Sequence, residues 1–308
     1  MVDVDTFLTT LYVMVDDFCR LSLPPEPHPG PQAARSRSEV VTLALVGPWQ
    51  SLGRERGVYR YAQRHLRAAC PPLPTREPYN RQVRTQQTAR VAFLLYLVRL
   101  LAAQRCAYEA LDSSGGPTRD AQRRGAGWLP GLADSGWRNR LGWYEGVQLL
   151  LAVTPGGVST GLGVGAASTQ EQPRAETCFA RRRQPHPGLA RVGAPARRPS
   201  GVDQGFEGQA KQRAWWRTYG AQVICPPKRH SQTPWPKPLR RWLAGVRQMV
   251  ETVTDKLPHT FRLERERPHA LSGLQARWAA TIAWHNFCMW LHEQLGRPRL
   301  AFVDLVDW

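Results

Sequence analysis

Apolar residues in the first hundred positions recur at helical spacing. Phe7, Leu8, Leu11, Val15 and Phe18 fall on one stripe and predict a helix over 4–20. Residues 21–37 are rich in Pro, Arg and Ser and read as a loop. Ser38 suits the N-cap of a second helix running through Glu39-Val-Val-Thr-Leu-Ala-Leu. A third helix is expected over Gly57–Ala69 and a fourth over about Asn80–Gln104. From Cys106 the pattern changes to strands. Ala107–Ser113 reads as a short strand running into Ser114-Gly-Gly-Pro117. Val147–Thr154, a Pro155-Gly156-Gly157 turn and Val158–Val164 read as a β-hairpin.

Helical periodicity returns over Gln172–Arg182 and Lys211–Tyr219, with a short strand at Ala221–Cys225. Residues 183–200 and Pro226–Pro238 are Pro- and Arg-rich and read as loops, and helices follow over Leu239–Leu257 and Leu274–Leu295. Strands mixed with helices after an all-helical start predict an α/β chain in two parts. Residues 1–105 form a helical region compatible with helix-turn-helix DNA binding, and residues 106–308 form an α/β domain.

Composition narrows the partner. The 308 residues carry 42 Lys and Arg against 24 Asp and Glu, a formal charge of +18. Only Lys211, Lys228, Lys237 and Lys256 are lysines, so the excess is arginine, whose planar fork suits phosphate. A polyanion is the expected partner, nucleic acid ahead of anionic membrane. Apolar runs such as Val147–Val153 are too short to span a bilayer. The acidic start, Met1-Val-Asp-Val-Asp, is unlike a secretory signal. The six cysteines are dispersed without a Cys-x-x-Cys pair, which fits a reducing cytoplasm and argues against a zinc ribbon.

Against that charge, isolated acids stand out. Asp112 lies on a strand with Tyr108 and Ala110 on its face, because side chains alternate. Asp203 precedes Gly205, which permits a sharp turn. Glu251 lies on an apolar-periodic helix one turn after Arg247. Carboxylates converging from separate elements can hold two divalent ions for phosphodiester displacement, and Mg²⁺ or Mn²⁺ takes such hard oxygen ligands. Singly, each acid has a plainer role: Asp112 could cap a turn, and Glu251 could pair with Arg247 at i, i+4.

Motifs in order along nearly the whole chain add weight. They include Leu11-Tyr-Val-Met-Val-Asp-Asp-Phe-Cys19, Tyr59-Arg-Tyr-Ala-Gln63, Leu111-Asp-Ser-Ser114, Gly142-Trp-Tyr-Glu-Gly146 and Asp203-Gln-Gly-Phe-Glu-Gly208. Cys225-Pro-Pro-Lys228, Arg247-Gln-Met-Val-Glu-Thr-Val253 and Ala283-Trp-His-Asn-Phe-Cys288 continue the series. With these the chain resembles the DDE-type transposases of bacterial insertion sequences, most closely the insertion-sequence nine-eight-two group. The resemblance implies a ribonuclease-H-like catalytic domain, a mixed sheet flanked by helices. It makes Asp112, Asp203 and Glu251 the metal-holding catalytic acids, with Arg247 beside them. It also implies a homodimer or larger assembly on the element's terminal inverted repeats and target DNA, in the bacterial cytoplasm at the nucleoid. Ala244 stands where the family has a Tyr, and Lys256 matches the family's later Lys only loosely. The segment Ala194-Pro-Ala-Arg-Arg-Pro-Ser-Gly201 offers little to bury for a central strand before Asp203.

Basic and aromatic residues interleave in two expected loops. Arg123, Arg124, Trp128, Trp137, Arg138, Arg140 and Trp143 lie in the first, and Lys228, Arg229, Lys237, Arg240, Arg241 and Trp242 in the second. Arginines and lysines clamp phosphates and tryptophans stack on unpaired bases; the alternative is solvated cations and core-filling rings. Three motifs are discounted. Gly157-Val-Ser159-Thr-Gly161 enters a strand rather than the strand-to-helix turn of a nucleophile elbow. Gly161-Leu-Gly163-Val-Gly165 has no nucleotide-binding context. His285, Cys288 and His292 have metal-compatible spacing on a helix whose face reads as core. The function expected is metal-dependent DNA strand cleavage and transfer. The rivals are a catalytically decayed transposase that only binds DNA and a stand-alone nuclease.

Overall fold

A computed structural model describes residues 2–26, 35–50, 52, 55–66, 73–120, 129–138, 142–182, 199–227, 231, 234–261, 270–302 and 305–307. The elements run β1 (Val2–Asp3), α1 (Val4–Ser22), α2 (Arg37–Trp49), α3 (Glu55–His65), α4 (Arg76–Thr85) and α5 (Gln87–Leu100). Then follow β2 (Glu109–Asp120), β3 (Asp134–Arg138), β4 (Gly142–Val153), β5 (Ser159–Ala166), α6 (Glu171–Arg181) and β6 (Pro199–Gly201). The chain continues with α7 (Gln209–Tyr219), β7 (Gln222–Ile224), α8 (Lys237–Phe261), α9 (Leu271–Gln294) and β8 (Val306–Asp307). This is a mixed α/β fold. No described helix is long and apolar enough to cross a membrane.

Two compact units are present. One comprises residues 1–97 with the C-terminal residues from 260, and the other comprises most of 98–259. The chain passes from the first unit to the second at 97/98, and the C-terminal helix α9 belongs to the first. Trp284 of α9 stacks on Trp49 at 5.3 Å, and Phe7 meets Trp284 and Phe287 at 5.3 and 5.5 Å. Aromatic pairs of this kind add about 0.5–1.5 kcal/mol each beyond their burial.

Within the helical unit, α1 matches its apolar stripe, and the Asp3 carboxylate caps it by accepting from Thr6 N at 2.9 Å. The N-cap of α2 is Ser36, not Ser38. Ser36 and Glu39 form a reciprocal capping box, two orphan donors satisfied at once, and this wins over the later serine. Ser38 lies inside the helix and donates to Asp16 at 2.8 Å. The expected helix over 80–104 is two helices, α4 and α5. The break falls at Gln86, whose backbone (φ −91°, ψ 18°) leaves the helical well.

The second unit is built on a six-stranded sheet of order β3-β4-β2-β6-β7, with β5 also paired to β4. The pairs β2–β4, β3–β4 and β4–β5 are antiparallel, while β2–β6 and β6–β7 are parallel. β4 is central and buried on both faces from Val147 to Val153, which is why it reads as an apolar run rather than an alternation. β2 extends beyond the expected Ser113 to Asp120. Ser114-Gly-Gly-Pro117, expected to end the strand, instead stays paired with β4 across a register shift between Pro117 and Arg119.

One face of the sheet packs on α6 and α7. Leu111, Leu150, Ala152, Val202 and Val223 meet Ala175, Cys178, Phe179 and Trp215 there. Gly163 and Gly165 of the glycine-rich run belong to this layer. A Cβ on Gly165 would sit 2.9 Å from Arg174 Cγ, and one on Gly163 3.2 Å from Arg174 O, so the glycines admit α6 close to β5. α8 covers the other side of β6: a Cβ on Gly201 would meet Val246 and Leu243 at 2.9 and 3.0 Å. Its buried residues Leu243, Val246, Val250, Val253 and Leu257 keep the 3–4 spacing of one helix face.

Candidate functional site

β6 is the element on which the site depends. It is only three residues long, yet it lies between β2 and β7 and pairs with both. Pro199 begins it, the one place in a strand where a missing N–H costs least. The expectation of an irregular loop through residue 200 is therefore corrected from Pro199 onward; 183–198 lie outside the described residues.

The parallel register pairs Glu109 with Ser200 and Ala110 with Gly201. Two residues past these pairs lie Asp112, still within β2, and Asp203, just beyond the end of β6. Gly201 and its register partner Ala110 face α8, so alternation within β2 puts Asp112 on the α8 face of the sheet. The Tyr108 and Trp242 rings lie 5.2 Å apart, and Leu243 and Val246 sit over Gly201. α8 therefore advances in the same direction as β2, and Glu251, just over a turn past Val246, is carried toward the level of the two aspartates.

Local bonds fix two of these acids. Asp203 Oδ1 accepts from Gly205 N at 2.8 Å, which shapes the turn into α7. Glu171 Oε2 lies beside the same turn, 3.4 Å from where a Gly205 Cβ would be. The Cys225 thiol donates to the Asp203 carbonyl at 3.0 Å. Burial first, then the charges of Asp203 and Glu207, pushes that thiol up to about 11. Glu251 Oε1 accepts from Arg247 Nη2 at 3.2 Å, with both side chains well exposed (53% and 36%). Asp112 is half-buried.

The donors are hard carboxylate oxygens, the set that Mg²⁺ or Mn²⁺ takes. As placed, they do not form a cage: among the described residues no three His, Cys, Asp or Glu side chains group closely enough to hold a metal ion. Of the three expected acids, Asp112 lies on β2, Asp203 in the turn after β6, and Glu251 is bonded to Arg247. His285 and His292 lie inside the helical unit, with rings 5.1 and 6.1 Å from that of Phe302. Ser159 of the elbow-like motif opens β5 and is fully buried.

Sequence reasoning passed over one acid. Glu109 begins β2 on the face opposite Asp112 and is fully buried. Arg182 Nη1 donates to its Oε2 at 2.6 Å, and Thr160 Oγ1 donates to its Oε1 at 2.8 Å. Burial, the largest single influence, lowers the Arg182 guanidinium, but the charge and hydrogen bond of Glu109 together with the nearby Cys178 and Cys106 outweigh it, so the group is held above its ordinary value. The available signal was an acid two residues before Leu111 on the apolar face of a strand, a position that requires a buried cation.

Of the expected DNA-contacting residues, Lys237, Arg240 and Arg241 are exposed on the first turns of α8. Arg138 lies on β3, though its side chain is not described; Arg123, Arg124, Arg140, Lys228 and Arg229 lie outside the described residues. The first expected loop is in part a β-ribbon. Trp137 of β3 is the register partner of Trp143 of β4, and the two are 55% and 68% exposed. They are not core-filling rings. No family model, curated protein or solved structure matches the chain.

Proposed function

We propose that this chain is a DDE transposase whose second unit is a ribonuclease-H-like catalytic domain. It would cleave DNA strands at the ends of an insertion sequence and join them to target DNA. The observation that carries this reading is that Asp112 on β2 and Asp203 just past β6 follow the parallel β2–β6 pairing by two residues each, on a sheet covered by the helix that bears Glu251. The sheet order, antiparallel on one side of β2 and parallel on the other, supports it. So does the exposed cationic start of α8 on a chain of net charge +18. Two neighbouring carboxylates on a chain that exposes cationic and aromatic side chains suit a phosphodiester substrate better than a neutral one. Two element ends must be handled together, so the working form would be a homodimer or larger assembly on DNA.

A second reading is favoured by the Arg247–Glu251 contact and by the lack of a three-ligand group among the described residues. In it the protein binds DNA without cutting it. One experiment separates the readings. The protein is incubated with Mg²⁺ or Mn²⁺ and a plasmid carrying the inverted repeats that flank its gene. Joined products abolished by Asp112→Asn support the transposase. Nicks without joining would reassign it as a nuclease, and bound, uncut DNA would favour the binding-only protein.

A further inference from the structure

We propose that the cleft between α3 and the start of α4 seats backbone phosphates of duplex DNA; this rests on the DNA-acting reading but concerns a different unit from the acids. The cleft has a volume of about 410 Å³ and is lined by Arg56, Arg60 and Arg76, with Glu77 as its single acid. None of these three arginines has a carboxylate partner within 4.0 Å among the described residues, whereas nearby Arg84 pairs with Glu55. Three unneutralised guanidiniums around one concavity repel each other and attract an anion.

The cleft is held in shape by its own bonds. Tyr59, buried on α3, donates from its hydroxyl to Pro74 O at 3.0 Å and accepts from Gln63 Nε2 at 2.8 Å. This ties α3 to the segment entering α4. At that entry Thr75 makes no side-chain cap. Pro78 has no N–H, so the Arg76 and Glu77 backbone N–H groups are the donors that this helix start presents to the cleft.

The pattern along α3 extends the site. Arg56, Arg60 and Arg64 recur every four residues on its exposed side, with Gln63 and His65, while Val58, Tyr59 and Ala62 face inward. A cationic row on successive turns fits a linear array of phosphates rather than one small anion. An anionic membrane would need apolar residues beside the cations. No large hydrophobic side chain of α3 is exposed.

The test is duplex binding in EDTA, where strand cleavage plays no part. Fluorescence anisotropy with a short duplex of arbitrary sequence gives affinity against salt. The Arg56→Ala/Arg60→Ala/Arg76→Ala variant should bind about tenfold or more weakly, with a salt slope lower by roughly one per arginine. Arg60→Lys should keep the slope. Arg20→Ala, which removes one positive charge from α1, should change neither. If the triple variant does not fold, single substitutions give the same readout in steps of one. An unchanged slope overturns the proposal, as does wild-type protein that binds no duplex. Loss of phosphatidylserine-vesicle binding with duplex binding intact overturns it in favour of a membrane surface. Cleavage assays with Mg²⁺ read the catalytic reading separately, so a protein that binds through this cleft yet never cuts remains distinguishable.

Discussion

Arg182 donates to Glu109 at 2.6 Å with both side chains almost wholly out of solvent, on the strand that three residues later carries Asp112. Thr160 donates to the other Glu109 oxygen, so the carboxylate is met on both sides. The cluster pins the end of α6 and strand β5 to the start of β2. It thereby sets the strand on which the first aspartate rides.

Removing one partner leaves a buried charge without its counterpart. Arg182→Met should destabilise the protein by about 3–5 kcal/mol in urea unfolding. Glu109→Leu together with Arg182→Met should recover much of that loss, because neither charge then needs solvation. A double variant as unstable as the single one would disprove the argument.

How legible this was depended on whether the deciding contact was local. α1 and the β4–β5 hairpin could be read because apolar spacing and a Pro155-Gly156-Gly157 turn are properties of neighbouring residues. α9 had no clean stripe, since Trp278, Trp284, Phe287 and Met289 are buried around its circumference; its length alone gave it away. β6 was hidden because its identity comes from β2 and β7 on either side, not from Pro-Ser-Gly. The Glu109–Arg182 pair spans 73 residues, beyond any local pattern. The three acids were findable as motifs, but the Arg247–Glu251 bond that turns the third one aside appeared in the sequence only as an i, i+4 alternative.

Cys19 and Cys225 are held as neutral thiols. Cys225 is raised to about 11 by burial and by Asp203 and Glu207, and Cys19 to about 11 mainly by burial. Thiolate is the reactive form, so both should resist iodoacetamide at pH 8 in the native protein. Labelling, mapped by peptide mass, should rise as the pH approaches those values and become rapid at pH 8 in urea. Fast native labelling of Cys225 at pH 8 would contradict the packing around Asp203.

His292 gives the helical unit a pH dependence. Burial first, then the Arg297 guanidinium, holds its pKa below the ordinary 6.5. The unfolded chain therefore takes up a proton before the folded one does. Stability is intact above about pH 6.5 and falls as the pH drops through that value toward the depressed one. Melting temperature measured between pH 7.5 and 5 should decline, and His292→Phe should flatten part of that decline. An equal slope in the variant would remove His292 as its source.

The Arg247–Glu251 pair decides whether the third acid is available. Both side chains are more than a third exposed and one helical turn apart, so the contact contributes only about 0.3–0.5 kcal/mol. Arg247→Ala should therefore leave the melting curve within about 0.5 kcal/mol of wild type. On the transposase reading, so weak a tie would yield to a divalent ion held by Asp112 and Asp203, whose attraction for a third carboxylate is far larger. On that reading Glu251→Gln should abolish Mg²⁺-dependent strand cleavage while duplex binding in EDTA stays unchanged. If Glu251→Gln cleaves like wild type, Glu251 is only the arginine's partner, and the site reduces to the two aspartates.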